Sequence, residues 1–320
     1  MRAIRRGALA GESRAIQIVA TPAAGNDRAL DTAARLREEL RARGHRAVLE
    51  PFPDPDSLGR WAARGGTGCS LLICVGGDGT LEAAAVAALG RSVPLLPVPC
   101  GGDSLFARAL GQPGRVDRVV DLLEHGDVVH VDVGVRNGKL FLCQESYGLL
   151  SQIRDRAEAN AGPPRAGWRH RLAYYGKAAR HLLDTPLVPL RVSVDGRVVA
   201  RDAVIVTVAN VETYGAWLNL TPGASPIDGL LDVFVMRRAS KRDLLSRLLE
   251  WQLRLPGKDP KALVCRGRRV SVVAPHDVRD QIDLMPRRLR LVVSAATAWA
   301  LVRDLGGRVG GFRTGRRRVA

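Results

Sequence analysis

The apolar run Ser70–Val75 (SLLICV) passes directly into Gly76-Gly77-Asp78-Gly79-Thr80, and an alanine-rich helical pattern, Leu81–Leu89, follows. A short run without polar alternation is what a strand buried on both faces requires, and such strands belong to parallel sheets. The glycines after it let the backbone come close to a bulky anion. A helix that starts there offers first-turn N–H groups to a phosphate. Asp78 adds a carboxylate able to orient phosphates or hold Mg²⁺, and Thr80 adds a hydroxyl. This unit commits the surrounding chain to an α/β architecture with a phosphate-binding turn.

The first ~135 residues keep that alternation. Ala15–Ala20 reads as a strand ending at Thr21-Pro22. Asn26 can cap a helix whose Ala29, Ala33, Leu36 and Leu40 recur at helical spacing before Gly44 stops it. Ala47–Glu50 and Pro94–Val98 read as further strands, and Ser104–Leu110 and Val116–His125 as helices. Strands separated by helices imply a parallel sheet covered on both faces.

The second half changes character. Val128–Val135, Leu140–Cys143, Leu190–Val194, Val198–Val208, Leu231–Met236, Arg269–Val273 and Leu289–Val293 are β-type runs, and Asp195-Gly196 is a hairpin signal. A mostly antiparallel sandwich is expected, interrupted by helices over Arg169–Leu183 and from Ser240 (a capping-box spacing to Asp243) through Leu255. Ala159–Gly167 reads as a loop. The expected division is 1–135, an α/β domain with the phosphate-binding turn; 136–305, a β-rich domain; and 306–320, a flexible basic tail.

Of the 320 residues, 46% are hydrophobic and 25% charged, which excludes disordered, collagen-like and coiled-coil classes. Aromatics at 4% argue against an aromatic-lined RNA or glycan binder. The formal net charge is +17, and 44 of the 49 basic residues are arginine. Residues 1–235 hold 28 basic and 25 acidic side chains; residues 236–320 hold 21 and 7. The excess therefore sits in the last quarter, which is drawn to anionic surfaces. No helix-turn-helix or similar module accompanies it, so no nucleic-acid partner is expected. The N-terminus lacks the apolar core of a secretory signal, and no stretch approaches a membrane span. Five cysteines without C-x-x-C spacing read as reduced cytoplasmic thiols, and the six histidines form no H-x-x-x-H pair.

The GGDGT turn resembles the motif shared by diacylglycerol and sphingosine kinases, their bacterial lipid-kinase relatives, NAD kinases and, more remotely, phosphofructokinases. Three further segments narrow this to the diacylglycerol kinase catalytic-domain and bacterial lipid kinase family. Thr21–Gly25 (TPAAG) is similar to the family's Asn-Pro-x-(Ser/Ala)-Gly turn. Pro99–Arg108 (PCGGDSLFAR) is similar to Pro-x-Gly-Thr-x-Asn-Asp-Phe-Ala-Arg. Pro222–Asp232 (PGASPIDGLLD) is similar to Pro-x-Ala-x-x-x-Asp-Gly-x-Leu-Asp. The resemblance spans about residues 15–295. It implies a three-layer α/β domain of the NAD kinase/diacylglycerol kinase-like type followed by a mostly antiparallel β-sandwich.

What the resemblance implies for function is ATP-dependent phosphorylation of a lipid hydroxyl, on a diacylglycerol- or sphingosine-like acceptor, with Mg²⁺. ATP would be cradled by Thr21, Gly25, Gly76, Gly77, Asp78, Gly79, Thr80, Gly101, Gly102 and Ser104. Asp78 would assist the phosphate-bound Mg²⁺, and Asp228 with Asp132 would serve a structural Mg²⁺ and its water network. The site would face the interdomain cleft, with the lipid approaching from the second domain. The protein would be cytoplasmic and peripherally attached to anionic membrane, with a homodimer allowed.

Departures from the family pattern accompany these matches. Its late Asp-Gly-Glu becomes Asp283-Leu284-Met285, leaving Asp283 as the candidate base. Leu81-Glu82-Ala83 follows GGDGT in place of x-Asn-Glu, so Glu82 is a substitute acid or a solvent-facing side chain. Arg108 reads equally as a phosphate contact or a surface ion-pair partner, His276 as a loop bystander, and Tyr174-Tyr175 with Trp168 as core or lipid pocket. The alternatives are a degenerate member that binds nucleotide or lipid without transfer, and an NAD kinase.

Overall fold

A computed structural model describes residues 4–5, 14–22, 28–65, 68–100, 104–153, 184–212, 220–241, 243–244, 246, 262–275 and 278–309. The expected helix over Arg169–Leu183, the loop Ala159–Gly167, and Asn26, His276, Trp168, Tyr174 and Tyr175 lie outside them. The chain runs β1 (Ile4–Arg5), β2 (Ala15–Ala20), α1 (Arg28–Ala42), β3 (Arg46–Pro51), α2 (Pro55–Ala63), β4 (Leu71–Gly76), α3 (Asp78–Arg91), β5 (Leu95–Pro99), α4 (Leu105–Ala109), α5 (Val116–His125) and β6 (Asp127–Arg136). There follow β7 (Lys139–Phe141), β8 (Gln144–Gly148), β9 (Leu190–Val194), β10 (Arg197–Ala209), β11 (Leu231–Arg237), β12 (Ala262–Gly267), β13 (Arg269–Val273), β14 (Arg279–Val293) and α6 (Ala295–Val309).

Two compact units result. The first is Met1–Val133 with Pro226–Gly229 and Met285–Phe312; the second is Gly134–Ser225 with Leu230–Leu284. The chain thus returns twice to its first unit, and a linear division near residue 135 leaves both returns out.

The first unit holds a parallel sheet in the order β3-β2-β4-β5-β14, the last through the pair Leu291–Leu95. β4 is buried along its whole length, as its unbroken apolar run requires. Helix α1 buries Ala29, Ala33, Leu36 and Leu40, the stripe its spacing predicts. That stripe, together with Val119, Val120 and Leu123 of α5, packs on Ile16, Ile18, Ile73 and Val75. Each such fully buried Leu or Ile side chain contributes ~1.5–3 kcal/mol relative to exposure. Helix α3 buries Leu81, Ala84, Ala85, Ala87 and Ala88, and Leu81 lies with Cys74 of β4 and Ala107 of α4. Helix α2 has no counterpart among the sequence expectations. Asp54 caps it by accepting from Ser57 N (2.6 Å), with Pro55 at its first position.

The second unit is antiparallel throughout its order β12-β11-β10-β9-β13-β14, with β8 also on β10. Asp195-Gly196 (φ 47° and 80°) turns β9 into β10, as expected, and Asn137-Gly138 (φ 48° and 84°) turns β6 into β7 in the same way. β11 is covered on both faces: Val233 and Val235 join Val206, Val208 and Val270, while Phe234 and Met236 join Leu149, Ile205 and Leu244. Ser240 Oγ accepts from Asp243 N (3.1 Å) and Asp243 Oδ2 from Ser240 N (3.4 Å), the reciprocal pair that the capping-box spacing predicts. Strands β8 and β12 go beyond the sequence expectations, and β14 starts ten residues before Leu289. Residues 306–309, expected in a flexible tail, continue helix α6.

Candidate functional site

The first unit builds its candidate site at the ends of β2, β4 and β5. Gly76 closes β4 and Gly77 is the N-cap of α3, in extended backbone (φ −91°, ψ −172°). Gly77 provides no side-chain cap to the N-terminus of α3, the end of a helix where an anion is favoured. The motif's glycines differ in why they are glycine. A Cβ on Gly76 would lie 2.7–3.0 Å from the Thr80 side chain, so the fold itself forbids one. A Cβ on Gly77 would meet nothing within 4 Å, and on Gly79 only Pro55 at 3.7 Å. Neither crowding nor φ demands glycine at 77; what it provides is open space before a helix N-terminus.

The turn is braced from both sides. Thr21 Oγ1 and Thr80 Oγ1 are 2.5 Å apart and both residues are buried. These hydroxyls therefore tie β2 to α3 and face each other instead of solvent. The Asp78 carboxylate accepts from Leu105 N (2.7 Å) and Phe106 N (3.0 Å), and so caps α4, 27 residues downstream. Ser104, buried and at φ 40°, donates its hydroxyl to Gly76 O (3.3 Å), which also accepts from Cys100 N (3.1 Å). Gly25, Gly101 and Gly102 lie outside the described residues. Thus Thr21, Gly76, Gly77, Asp78, Gly79, Thr80 and Ser104 come together, and the polar side chains among them are engaged as braces. Glu82 is half-buried on α3, and Arg108 is exposed on α4.

A second cluster of the first unit surrounds Asp132, whose carboxylate is fully buried. Asp132 Oδ2 accepts from Gly229 N and Oδ1 from Arg287 N, both at 2.7 Å, and Asp132 N donates to Pro226 O (2.6 Å). This one side chain anchors both returning segments. Burial pushes its pKa up to about 6; the two N–H donors oppose that rise, and the neighbouring charge of Asp228 adds to it. Asp132 and Asp228 form a pair of hard oxygen donors whose mutual repulsion a cation would relieve, and each carboxylate oxygen has more than one lone pair to offer. The donor set suits Mg²⁺. Among the described residues no three His, Cys, Asp or Glu side chains converge, so the remaining ligands would be carbonyls and water.

Asp283 belongs to the second unit. Its carboxylate is 46% exposed and pairs with its cross-strand neighbour Arg269 (Nε to Oδ1, 2.8 Å). Three residues earlier, Asp280 and Glu145 share Arg136 (2.9 and 3.0 Å), whose guanidinium lies 5.0 Å from the centre of the Tyr147 ring. Sequence reasoning misses that cluster, since its members are scattered over β6, β8 and β14.

Residues 15–135 match the diacylglycerol kinase catalytic domain, and residues 151–285 match the YegS C-terminal NAD kinase beta sandwich-like domain. The chain thus carries a diacylglycerol kinase catalytic domain followed by a YegS C-terminal domain. Curated relatives include the diacylglycerol kinase of Staphylococcus epidermidis RP62A, 23% identical over 219 residues, and that of Staphylococcus aureus RF122, 24% identical over the same length; each alignment covers 67% of both chains. A crystal structure of a diacylglycerol kinase from Bacillus anthracis str. Sterne gives a TM-score of 0.63 at 19% identity over 90% of this chain and all of that one. Another from the same strain gives 0.68 at 20% identity over 89% and 100%. These structures share the fold described above.

Proposed function

We propose that this chain transfers the γ-phosphoryl group of ATP to a hydroxyl of a diacylglycerol- or sphingosine-like lipid. The observation that carries the nucleotide half of the reading is Gly77, a glycine that the fold does not need, at an uncapped helix start directly after a buried strand. Phosphoryl transfer is mostly positioning and charge neutralisation. The α3 N–H groups would orient the phosphates, and the Thr21–Thr80 pair and the Asp78–α4 bonds would hold those N–H groups still. Mg²⁺ would supply neutralisation of phosphate charge; Asp132 and Asp228 would hold a structural ion. Asp283 would accept the lipid hydroxyl proton as the new O–P bond forms and the bond to ADP breaks. Its ion pair with Arg269 fixes where on β14 that carboxylate stands.

A second reading, a member that binds nucleotide or lipid without transfer, is favoured by Met285, which can neither accept a proton nor bind Mg²⁺ well. The lipid is expected in a bilayer, so the chain would meet an anionic membrane as a peripheral protein; among the described residues no helix is long and apolar enough to cross one. The test is incubation of the purified chain with γ-labelled ATP, Mg²⁺ and separate acceptors: diacylglycerol, ceramide, sphingoid base, prenol and NAD. Labelled lipid supports the proposal, and labelled NADP replaces it with NAD kinase. ATP binding with no labelled acceptor selects the non-catalytic reading.

A further inference from the structure

Helix α6 presents an apolar stripe to solvent. Its N-terminus is pinned: Ser294 Oγ accepts from Thr297 N (3.1 Å), Thr297 Oγ1 donates to Leu110 O (3.2 Å), and Ala298 is buried. Its exposed side carries Ala295, Ala296, Trp299 and Val302. Trp299 is 59% exposed and Val302 38%, and the Arg303 guanidinium lies 4.7 Å from the centre of the Trp299 ring. Burying a large aromatic is among the strongest contributions to a core, so one left outside on a fixed helix marks a contact surface.

Two occupants fit such a stripe: a second copy of the chain, or the interfacial zone of a bilayer. Charge decides between them. After Asp304 the sequence carries five arginines and no acidic residue. Two copies meeting at this helix would bring like charges together. An anionic membrane meets the same charges with attraction, at the depth where an indole and an arginine stacked on it are favoured. We propose that α6 is the membrane-docking element, with Trp299 and Val302 entering the headgroup–acyl boundary and the arginines pairing with anionic lipid. This rests on the reading of the substrate as a bilayer lipid.

The probe is vesicles of phosphatidylcholine with and without ~30 mol% phosphatidylglycerol, with co-sedimentation of full-length wild type, Trp299→Ala, Val302→Asp and Trp299→Phe. The expected result is binding to the anionic vesicles that falls about tenfold in Trp299→Ala and Val302→Asp, and is largely kept in Trp299→Phe. Thermal midpoints and transfer to a short-chain, water-soluble diacylglycerol should stay at wild-type level. Failure of the kinase reading shows as no transfer to that soluble acceptor by any of these proteins, and leaves the vesicle result to be read separately. The docking proposal is overturned if wild type ignores anionic vesicles, binds both vesicle types equally, or loses no binding on either substitution. A shift from dimer to monomer in Trp299→Ala with unchanged vesicle binding also overturns it, and assigns the face to a second copy.

Discussion

Replacing Gly76 and Gly77 separately by alanine should damage the protein in opposite ways. At 76 the new Cβ would sit 2.7 Å from Thr80 Oγ1, 2.8 Å from its Cβ and 3.0 Å from its Cγ2. Thr80 must move, and the buried 2.5 Å contact with Thr21 is lost. Overpacking costs ~1–3 kcal/mol and the hydrogen bond ~0.5–1.5 kcal/mol, so Gly76→Ala should cost about 2–4 kcal/mol. At ~2–4 °C per kcal/mol for a unit of this size, the midpoint should fall by about 4–16 °C. At 77 the Cβ meets nothing, φ is permitted to alanine, and the reduced freedom of the unfolded chain offsets the poorer N-cap, so stability should change by less than ~0.5 kcal/mol. The same methyl would stand where the phosphates approach. Loss of hydrogen bonds to a charged group, ~1.5–3 kcal/mol, should weaken ATP binding about 10- to 100-fold. The assay is calorimetric ATP titration beside thermal unfolding of both variants. Wild-type ATP affinity in Gly77→Ala, or a loss of affinity accompanied by an equal loss of stability, would refute the reasoning.

Asp78→Ala should abolish transfer and lower stability by about 0.5–2 kcal/mol through the lost cap of α4, measured by lipid phosphorylation and denaturant unfolding. Because the pKa of buried Asp132 is raised from its ordinary 3.8 to about 6, the folded state binds the proton more tightly. Stability should therefore fall as pH rises from about 4 to 6, and stabilisation by Mg²⁺ should grow over the same window; Asp132→Asn should flatten both in thermal scans. Gly134→Ala would put a Cβ 2.1–2.6 Å from the Phe141 ring across the β6–β7 hairpin and should destabilise by ~1–3 kcal/mol or more, read from unfolding midpoints.

Local physics made much of this fold legible. The four-residue stripe of α1, the unbroken apolar β4 and the hairpin at Asp195-Gly196 each follow from periodicity or turn chemistry. Helix α2 had its signals, Asp54 before Pro55 with Leu58 and Ala62 one turn apart, but they sit in a nine-residue element beside other prolines. β8 and β12 are short and carry polar side chains among their apolar ones, so alternation was weak. The return of 226–229 and 285–309 to the first unit could not be read, because it hangs on Asp132 bonding to N–H groups 97 and 155 residues away. In the candidate site, glycine content marked the turn between β4 and α3. The roles of its polar side chains did not follow. Thr21, Thr80, Asp78 and Ser104 look like ligands in a motif, yet in the folded chain they bond to one another and to the main chain.

The central claim is phosphoryl transfer to a lipid, and its most direct test is the fate of the label from γ-labelled ATP with diacylglycerol in mixed micelles. The account predicts labelled phosphatidic acid that requires Mg²⁺, persists in Trp299→Ala and disappears in Asp78→Ala. Unlabelled lipid from a wild-type chain that demonstrably binds ATP would contradict it.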